Sequence, residues 1–259
     1  MLRVDAELVR RDLARSRAHA AELVRAGRVC IGGKPVIKPS TPITPATPLQ
    51  VRQDPSEEGY ASRAALKLVG ALAELTATGS EFPSRIKGAT CLDLGASTGG
   101  FTDVLLRRGA ARVVALDVGH DQLLPRLRTD ERVTVIEGAN ARELTAEMIG
   151  CPPDLVVGDL SFISLTLVLP ALAQTMQAGA LALLLVKPQF EVGRDRLGAG
   201  GVVRDPVLHR LAIDTVIAAG AAAGMRAQQV IPSPLPGHRG NQEFFVTFER
   251  EVDVTGESR

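Results

Sequence analysis

From Ala89 onward, short apolar runs alternate with amphipathic segments, and this alternation constrains the fold of the 259-residue chain more than any other feature. Strands are predicted at 90–94, 112–116, 133–136, 155–157 and 180–186. Helices are predicted at 100–108, 164–176 and 206–219, the last stopped by Gly220. Such βαβ repetition builds a parallel sheet covered by helices on both faces. The chain closes with strands at 228–231 and 243–248, which have no helix between them and therefore pair antiparallel. An α/β Rossmann-like sheet with an antiparallel terminal strand is the usual shape of a nucleoside-cofactor methyltransferase.

No apolar stretch reaches the ~18 residues of a membrane span. The charged opening of the chain lacks the apolar core of a signal peptide. Cys30, Cys91 and Cys151 are odd in number, widely spaced and without a CxxC pair, which argues against a disulfide framework and a zinc site. No metal is expected, and a reducing cytoplasm is the expected location. The net charge of +1 hides a division. Residues 1–53 carry ten Lys/Arg against Asp5, Glu7, Asp12 and Glu22, a net +6, and the remainder is −5. A basic arm on an acidic body points to a polyanionic partner, most often nucleic acid, or else to solvated basic helix faces.

That arm reads as a helix–helix–hairpin unit. Leu8, Leu13 and Ala14 form one stripe, and Ser16 is placed to cap a second helix that Gly27 stops. Gly32-Gly33 is suited to a tight hairpin turn. Arg10, Arg11, Arg15, Arg17, Arg25, Arg28 and Lys34 line the unit, a layout suited to phosphate contacts. Pro39, Pro42, Pro45, Pro48 and Pro55 then exclude a helix and mark an extended connector. The expected division is a domain at 1–53, a linker at 54–60 and a second domain at 61–252. A helix from about Tyr60 to Leu75 would place Arg63 and Lys67 on one face and Leu66, Val69 and Leu72 on another.

The turn Asp93-Leu94-Gly95-Ala96-Ser97-Thr98-Gly99-Gly100-Phe101 follows the first strand of the sheet and opens a helix. Its glycines let a cofactor press against backbone. The dinucleotide pattern is absent because Ser97 holds its second glycine position, so a nicotinamide enzyme is poorly supported. An acidic residue two positions before Gly95 resembles S-adenosylmethionine (SAM) sites instead. Asp117, ending the second strand, is placed for the ribose hydroxyls, and Asn140, after the third, for the adenine edge. The alternative is that the turn is only a tight turn.

The segment Gly158-Asp159-Leu160-Ser161-Phe162 lacks the prolines of enzymes that methylate exocyclic amines. Cys91 and Cys151 look structural, which argues against attack on a pyrimidine ring. What remains is a set of charged groups: Lys67 on the helix before the sheet, Asp159, Lys187 and Glu243 at strand ends. Strand ends converge on one cleft. There a lysine can hydrogen-bond a sugar hydroxyl and take its proton. Taken singly, each has a plainer reading as a cap, a surface charge or a snorkelling side chain.

At these residues the chain resembles a known family. Ser62-Arg63-x-x-x-Lys67-Leu68, the Asp93–Phe101 turn, Asp159-Leu160-Ser161-Phe162-Ile163-Ser164, Lys187-Pro188-Gln189-Phe190-Glu191 and Gly240-Asn241-x-Glu243-Phe244-Phe245 are similar to TlyA. These are haemolysin-A-like ribosomal RNA cytidine 2′-O-methyltransferases with an FtsJ-like domain. The first residues, with Arg3-Val4-Asp5, Ser16-Arg17 and Gly27-Arg28-Val29, resemble the small α+β RNA-binding domain named after ribosomal protein S4. The resemblance implies that Lys67, Asp159, Lys187 and Glu243 form a K-D-K-E tetrad, with Lys187 at the target hydroxyl. It implies SAM as cofactor, bound by Asp93, Gly95, Ala96, Ser97, Thr98, Gly99, Gly100, Phe101, Asp117 and Asn140. Ribosomal RNA or a ribosomal subunit is the implied partner.

Members acting on both subunits carry short extra terminal segments. Only Met1 and Leu2 precede Arg3 here, so the large subunit is the first expectation and the small subunit the further one. Relatives often have Gly and His where Ala64 and Leu66 stand. RNA contacts are expected from Arg3, Arg10, Arg11, Arg15, Arg17, Arg28, Arg63, Arg194 and Arg196, the last two in a basic glycine-rich loop at 193–205. Phe162, Phe190 and Tyr60 are the aromatics available for base stacking. Two other classes stand beside the enzyme: a catalytically silent assembly factor and a membrane-active haemolysin.

Overall fold

The computed structural model describes residues 2–11, 13–14, 17–52, 59–237 and 240–251, with the side chains of all these except Ala18, Arg194 and Ala199. The expected Ser16 cap and Arg15 lie outside the described residues, as does most of the expected linker. The chain divides into two compact units, Met1–Gly59 and Tyr60–Arg259.

In the first unit, β1 (Leu2–Arg3) leads directly into α1 (Val4–Arg10), and α2 (Arg17–Arg25) packs beside it. Val4 and Leu8 lie four apart on α1, and Ala20, Leu23 and Val24 share one face of α2, so both helices bury an apolar stripe. The hairpin forms as expected: Gly32 and Gly33 take φ of 56° and 80° between β2 (Val29–Ile31) and β3 (Lys34–Pro35). The proline run differs from expectation. It is not a connector but part of this unit: β4 (Pro42–Ile43) pairs with β1, and β5 (Leu49–Val51) pairs with β2. Proline has no N–H to donate, yet an edge position does not require one, and β4 lies in a two-stranded ladder. Arg11 fastens the run to α1, its guanidinium donating to the carbonyls of Thr47 (2.8 Å) and Pro45 (2.7 Å).

The second unit opens with α3 (Ala64–Ala77), four residues later than predicted. The backbone N–H of Ala61 is held by the buried Asp103 carboxylate at 2.8 Å, which keeps the preceding residues out of the helix. The buried stripe is Ala65, Leu68, Leu72 and Leu75; Leu66 and Val69 are only half-buried, one step off the true face.

The sheet then follows: β6 (Thr90–Leu94), α4 (Gly100–Arg107), β7 (Arg112–Leu116), α5 (Pro125–Arg128), β8 (Val133–Ile136), α6 (Ala146–Ile149), β9 (Leu155–Gly158), α7 (Leu169–Thr175), β10 (Leu181–Val186), α8 (Pro188–Glu191), α9 (Pro206–Ala222), β11 (Met225–Pro232) and β12 (Phe244–Arg250). The spatial order is β11-β12-β10-β9-β6-β7-β8, parallel from β10 to β8 and antiparallel at β12 and β11. Every residue of β10 is buried, as a strand covered on both faces requires.

Two helix predictions need correction. The segment 164–176 is a 3-10 turn, Leu165–Leu167, followed by α7, whose Pro170 is tolerated only in the first turn. Gly220 does not stop α9, which runs on to Ala222. It lies inside the helix, where a Cβ would meet the Phe248 ring at 2.5 Å, so that glycine there makes room for the ring.

Candidate active site

The switch point of the sheet lies between β6 and β9, where chain order reverses, and ligands of open α/β sheets bind beyond the strand ends at such a point. β12 runs opposite to its neighbour, with Phe244 beside Val186, so its beginning meets the carboxyl end of β10. This brings Glu243 to the same edge as Asp159 after β9 and Lys187 after β10. Lys67 reaches that edge from α3. Its Nζ donates to Glu243 Oε2 at 2.7 Å and lies 3.8 Å from Asp159 Oδ2. Lys187 Nζ lies 2.6 Å from Asp159 Oδ1 and donates to Ser161 Oγ at 2.8 Å. The four predicted charged residues thus form one chain, Glu243–Lys67–Asp159–Lys187, from four separate elements. The side chain of Glu243 is 2% exposed, that of Lys187 8% and that of Asp159 15%. Charges so withdrawn from water are tolerated because each faces an opposite one.

Beside this chain lies the glycine turn. Gly95 has φ of 80°, and a Cβ there would lie 2.9 Å from the Asp159 carbonyl oxygen. Only glycine lets the two loops meet so closely. Asp93 is fully buried: Oδ2 accepts from Thr102 Oγ1 at 2.6 Å, while Oδ1 is buried with no hydrogen-bond partner among the described residues. Burial pushes this carboxyl up to about 7, against the opposing pull of its Thr102 bonds. Asp117 accepts from the backbone N–H groups of Ser97 (2.8 Å) and Gly119 (2.7 Å), bracing the turn from the end of β7.

The other predicted cofactor residues divide. Ala96 and Thr98 are buried in the turn. Gly99 opens α4 with φ of 93°, and Leu127 and Leu123 fill the space where its side chain would stand. Gly100 faces Ser62 and α3, since a Cβ would meet Ser62 Oγ at 2.5 Å, so its smallness serves helix packing. Phe101 is in the core, its ring 6.2 Å from that of Phe245. Asn140 Oδ1 accepts from Arg142 N, capping a 3-10 turn.

Among the expected RNA contacts, Arg3 and Arg17 pair with Asp5, and Arg10 and Arg11 with Glu7. The Arg3 guanidinium holds Asp5 down at about 2, and those of Arg10 and Arg11 do the same to Glu7. Arg28 donates to the Arg52 carbonyl. Arg63 precedes α3 and is exposed, as is Arg196. The far end of the 193–205 loop is pinned: Asn241 accepts from Val203 N (2.9 Å) and donates to the Gly201 carbonyl (3.2 Å). Four participants escaped the sequence reading: Thr102, Ser161, Glu191 and Asn241. All but Thr102 stand within the quoted motifs, and Thr102 directly follows one, but hydroxyl, amide and carboxylate partners cannot be read from spacing.

The profile of the FtsJ-like methyltransferase family matches residues 60–250, and that of the S4 domain matches residues 2–47. The 16S/23S rRNA (cytidine-2′-O)-methyltransferase TlyA of Mycobacterium tuberculosis is 53% identical over 251 residues, 97% of this chain and 91% of that one. The chain belongs to the TlyA family of FtsJ-like methyltransferases. Hemolysin A of Brachyspira hyodysenteriae, another relative, is 36% identical across 95% of this chain and 99% of its own. A Streptococcus thermophilus protein of known structure, named as a hemolysin, superposes with a TM-score of 0.74 at 37% identity, over 98% of this chain and 91% of its own. The TlyA fold is therefore the methyltransferase sheet with its antiparallel terminal strand, joined to an S4 domain. Among the described residues, no helix is long and apolar enough to cross a membrane, and no group of three His, Cys, Asp or Glu could hold a metal ion.

Proposed function

We propose that this protein transfers a methyl group from SAM to the ribose 2′-hydroxyl of a cytidine in ribosomal RNA. The observation that carries the reading is the Lys187–Asp159 pair, 2.6 Å apart beyond the carboxyl ends of β9 and β10 and braced through Lys67 to Glu243. The substrate class follows the family's relatives, above all the Mycobacterium tuberculosis enzyme named for both subunits.

The residues around the glycine turn suit the cofactor. The orphaned Asp93 Oδ1 would accept from the ammonium of its methionyl part. The 95–99 turn would take its chain, and Asp117, with lone pairs left after two backbone contacts, its ribose hydroxyls. When bound, SAM supplies a methyl group on a sulfonium, an electrophile that needs no further activation. The protein's task is then to aim an oxygen and remove its proton. Lys187 Nζ would orient the 2′-hydroxyl, and its proton would pass to the Asp159 carboxylate of the Lys187–Asp159 pair as the C–O bond forms and the methyl–sulfur bond breaks, leaving a neutral thioether. Lys67, held between Asp159 and Glu243, keeps that pair in place, and in-line placement supplies much of the acceleration. The exposed ring of Phe162 and its neighbour Phe190, with centroids 5.4 Å apart, offer a flipped-out base an apolar face beside the lysine.

Tritiated methyl transfer from SAM onto purified large and small ribosomal subunits, followed by nuclease digestion and mass spectrometry, tests this. Label on a cytidine ribose is the expected result, and the labelled subunit gives the range of substrates. A protein that binds SAM but labels neither subunit would overturn the reading in favour of a silent assembly factor.

A further inference from the structure

Phe162 is an unusual residue. It is an aromatic at φ of 65°, the left-handed region that bulky side chains avoid, and it is 92% exposed. A strained conformation of this kind persists only where its surroundings over-determine it. Its ring lies beside that of Phe190, with centroids 5.4 Å apart. The residues on either side of it are held by hydrogen bonds and an ion pair.

On the upstream side, Ser161 is held by Lys187 and Asp159 by the same lysine. On the downstream side the holder is Glu191, the last residue of α8. Its Oε1 accepts from the backbone N–H of Leu165 at 2.9 Å, and its Oε2 accepts from the Ser164 hydroxyl. Burial raises the Glu191 carboxyl above its ordinary range. Protonation leaves the grip intact, because a neutral carboxyl still accepts from Leu165 and can donate to Ser164. Segments 159–165 and 187–191 are therefore stapled at both ends of the strained residue.

We infer that Glu191 is a positioning residue for methyl transfer: by clasping Ser164 and Leu165 to α8, it holds Phe162 in its left-handed conformation and keeps Asp159 and Lys187 in register. The inference rests on the methyltransferase reading of this site. It distinguishes Glu191 from an ordinary helix-end charge, whose loss would leave the loop unchanged.

The test compares Glu191→Ala with Glu191→Gln in the full chain. Glutamine keeps an acceptor for Leu165 and can donate to Ser164, so it preserves the clasp without charge. Three quantities are read: amide hydrogen exchange of residues 160–166, SAM affinity by calorimetry, and the single-turnover rate on saturating ribosomal subunits. In Glu191→Ala, exchange at Leu165 accelerates about tenfold or more. SAM affinity stays within about twofold, and the methyl-transfer rate falls about 10- to 100-fold, the scale of a loosened reacting geometry. Glu191→Gln keeps exchange and rate within about twofold of wild type and leaves SAM affinity unchanged. Unchanged exchange and rate in the alanine variant overturn the proposal, as does equal loss in both variants, or a loss of SAM affinity that matches the loss of rate. Should the alanine variant fail to fold, Ser164→Ala removes one arm alone and is expected to speed exchange at Leu165 and slow transfer about fivefold or more; wild-type exchange and rate in that variant overturn the proposal. Should the wild type label no subunit, the substrate reading fails, and the exchange comparison alone decides whether the clasp exists.

Discussion

Lys67 Nζ donates to Glu243 Oε2 across 2.7 Å, although 176 residues separate the two in the chain. The bond joins the helix that precedes the sheet to the strand that ends it, and it brackets every βαβ unit between them. It also sets the far end of the charge chain that finishes at Lys187. In an interior this dry the pair's value lies in being complete, since either charge left alone would be buried without compensation.

Glu243→Gln is accordingly expected to destabilise the protein by about 3 kcal/mol, the scale for breaking a buried pair. The double variant Lys67→Met/Glu243→Gln should cost less than the sum of the two single changes. Urea unfolding of the four proteins checks this, and additive losses would show that the two groups do not interact.

Lys187→Ala is expected to lower methyl transfer by about 10²- to 10⁴-fold, the range of a lost proton-transfer group. SAM affinity should stay within about threefold, because the assigned role lies in the chemical step. Calorimetry with SAM beside single-turnover kinetics separates the two. A large loss of SAM binding would reassign the residue to cofactor contact.

Asp93 makes the stability of the ligand-free protein depend on pH in a stated direction. Its carboxyl is raised to about 7 in the folded state, chiefly by burial. The unfolded chain ionises it near 3.9. Its contribution is therefore whole below about pH 4 and is lost as pH rises through 7. Asp93→Asn, which has no charge to bury, should gain on the order of 1–3 kcal/mol over wild type at pH 8 and little at pH 4. It should also bind SAM at least tenfold more weakly if the orphaned oxygen meets the ammonium. Thermal melts at the two pH values and a titration with SAM measure both effects.

The first unit has the opposite dependence. Asp5 and Glu7 are each held down at about 2 by the arginines beside them. Their stabilising contributions are present above about pH 4, the unfolded carboxylate range, and are lost as pH falls toward 2. Protection of the Val24 and Val29 amides, taken relative to the intrinsic exchange rate at each pH, should fall in the full chain between pH 5 and pH 2.5. A flat profile would mean that these ion pairs are only surface charge.

The same pairs refine the reading of the basic arm. Arg3, Arg10, Arg11 and Arg17 look interchangeable as a string of positive charges. In the folded unit, Arg11 is committed to Glu7 and to two carbonyls of the proline run. Arg10 and Arg17 share their carboxylates while keeping most of their side chains in water. A salt titration of ribosomal RNA binding should accordingly show a larger loss of slope for Arg10→Gln, or for Arg17→Gln, than for Arg11→Gln.

The local signals in this chain were strong enough to determine the sheet and the turn. Short apolar runs, a glycine-rich strand-to-helix junction and two closing strands without a helix admit one architecture, because strand and helix periods follow from backbone geometry alone. The residue types of the charge chain were legible for the same reason, since each stands at a strand end or on a helix face. Tertiary structure decided the rest. The proline run became two strands because β1 and β2 offered it partners. Gly220 leaves room for the Phe248 ring within α9 rather than ending the helix. Gly100 and Phe101 also take part in the packing of α3, α4 and β12. Thr102, Ser161 and Glu191 acquired roles only through hydrogen bonds to distant atoms. Pairings of this kind depend on distances across the fold, which a one-dimensional pattern does not contain.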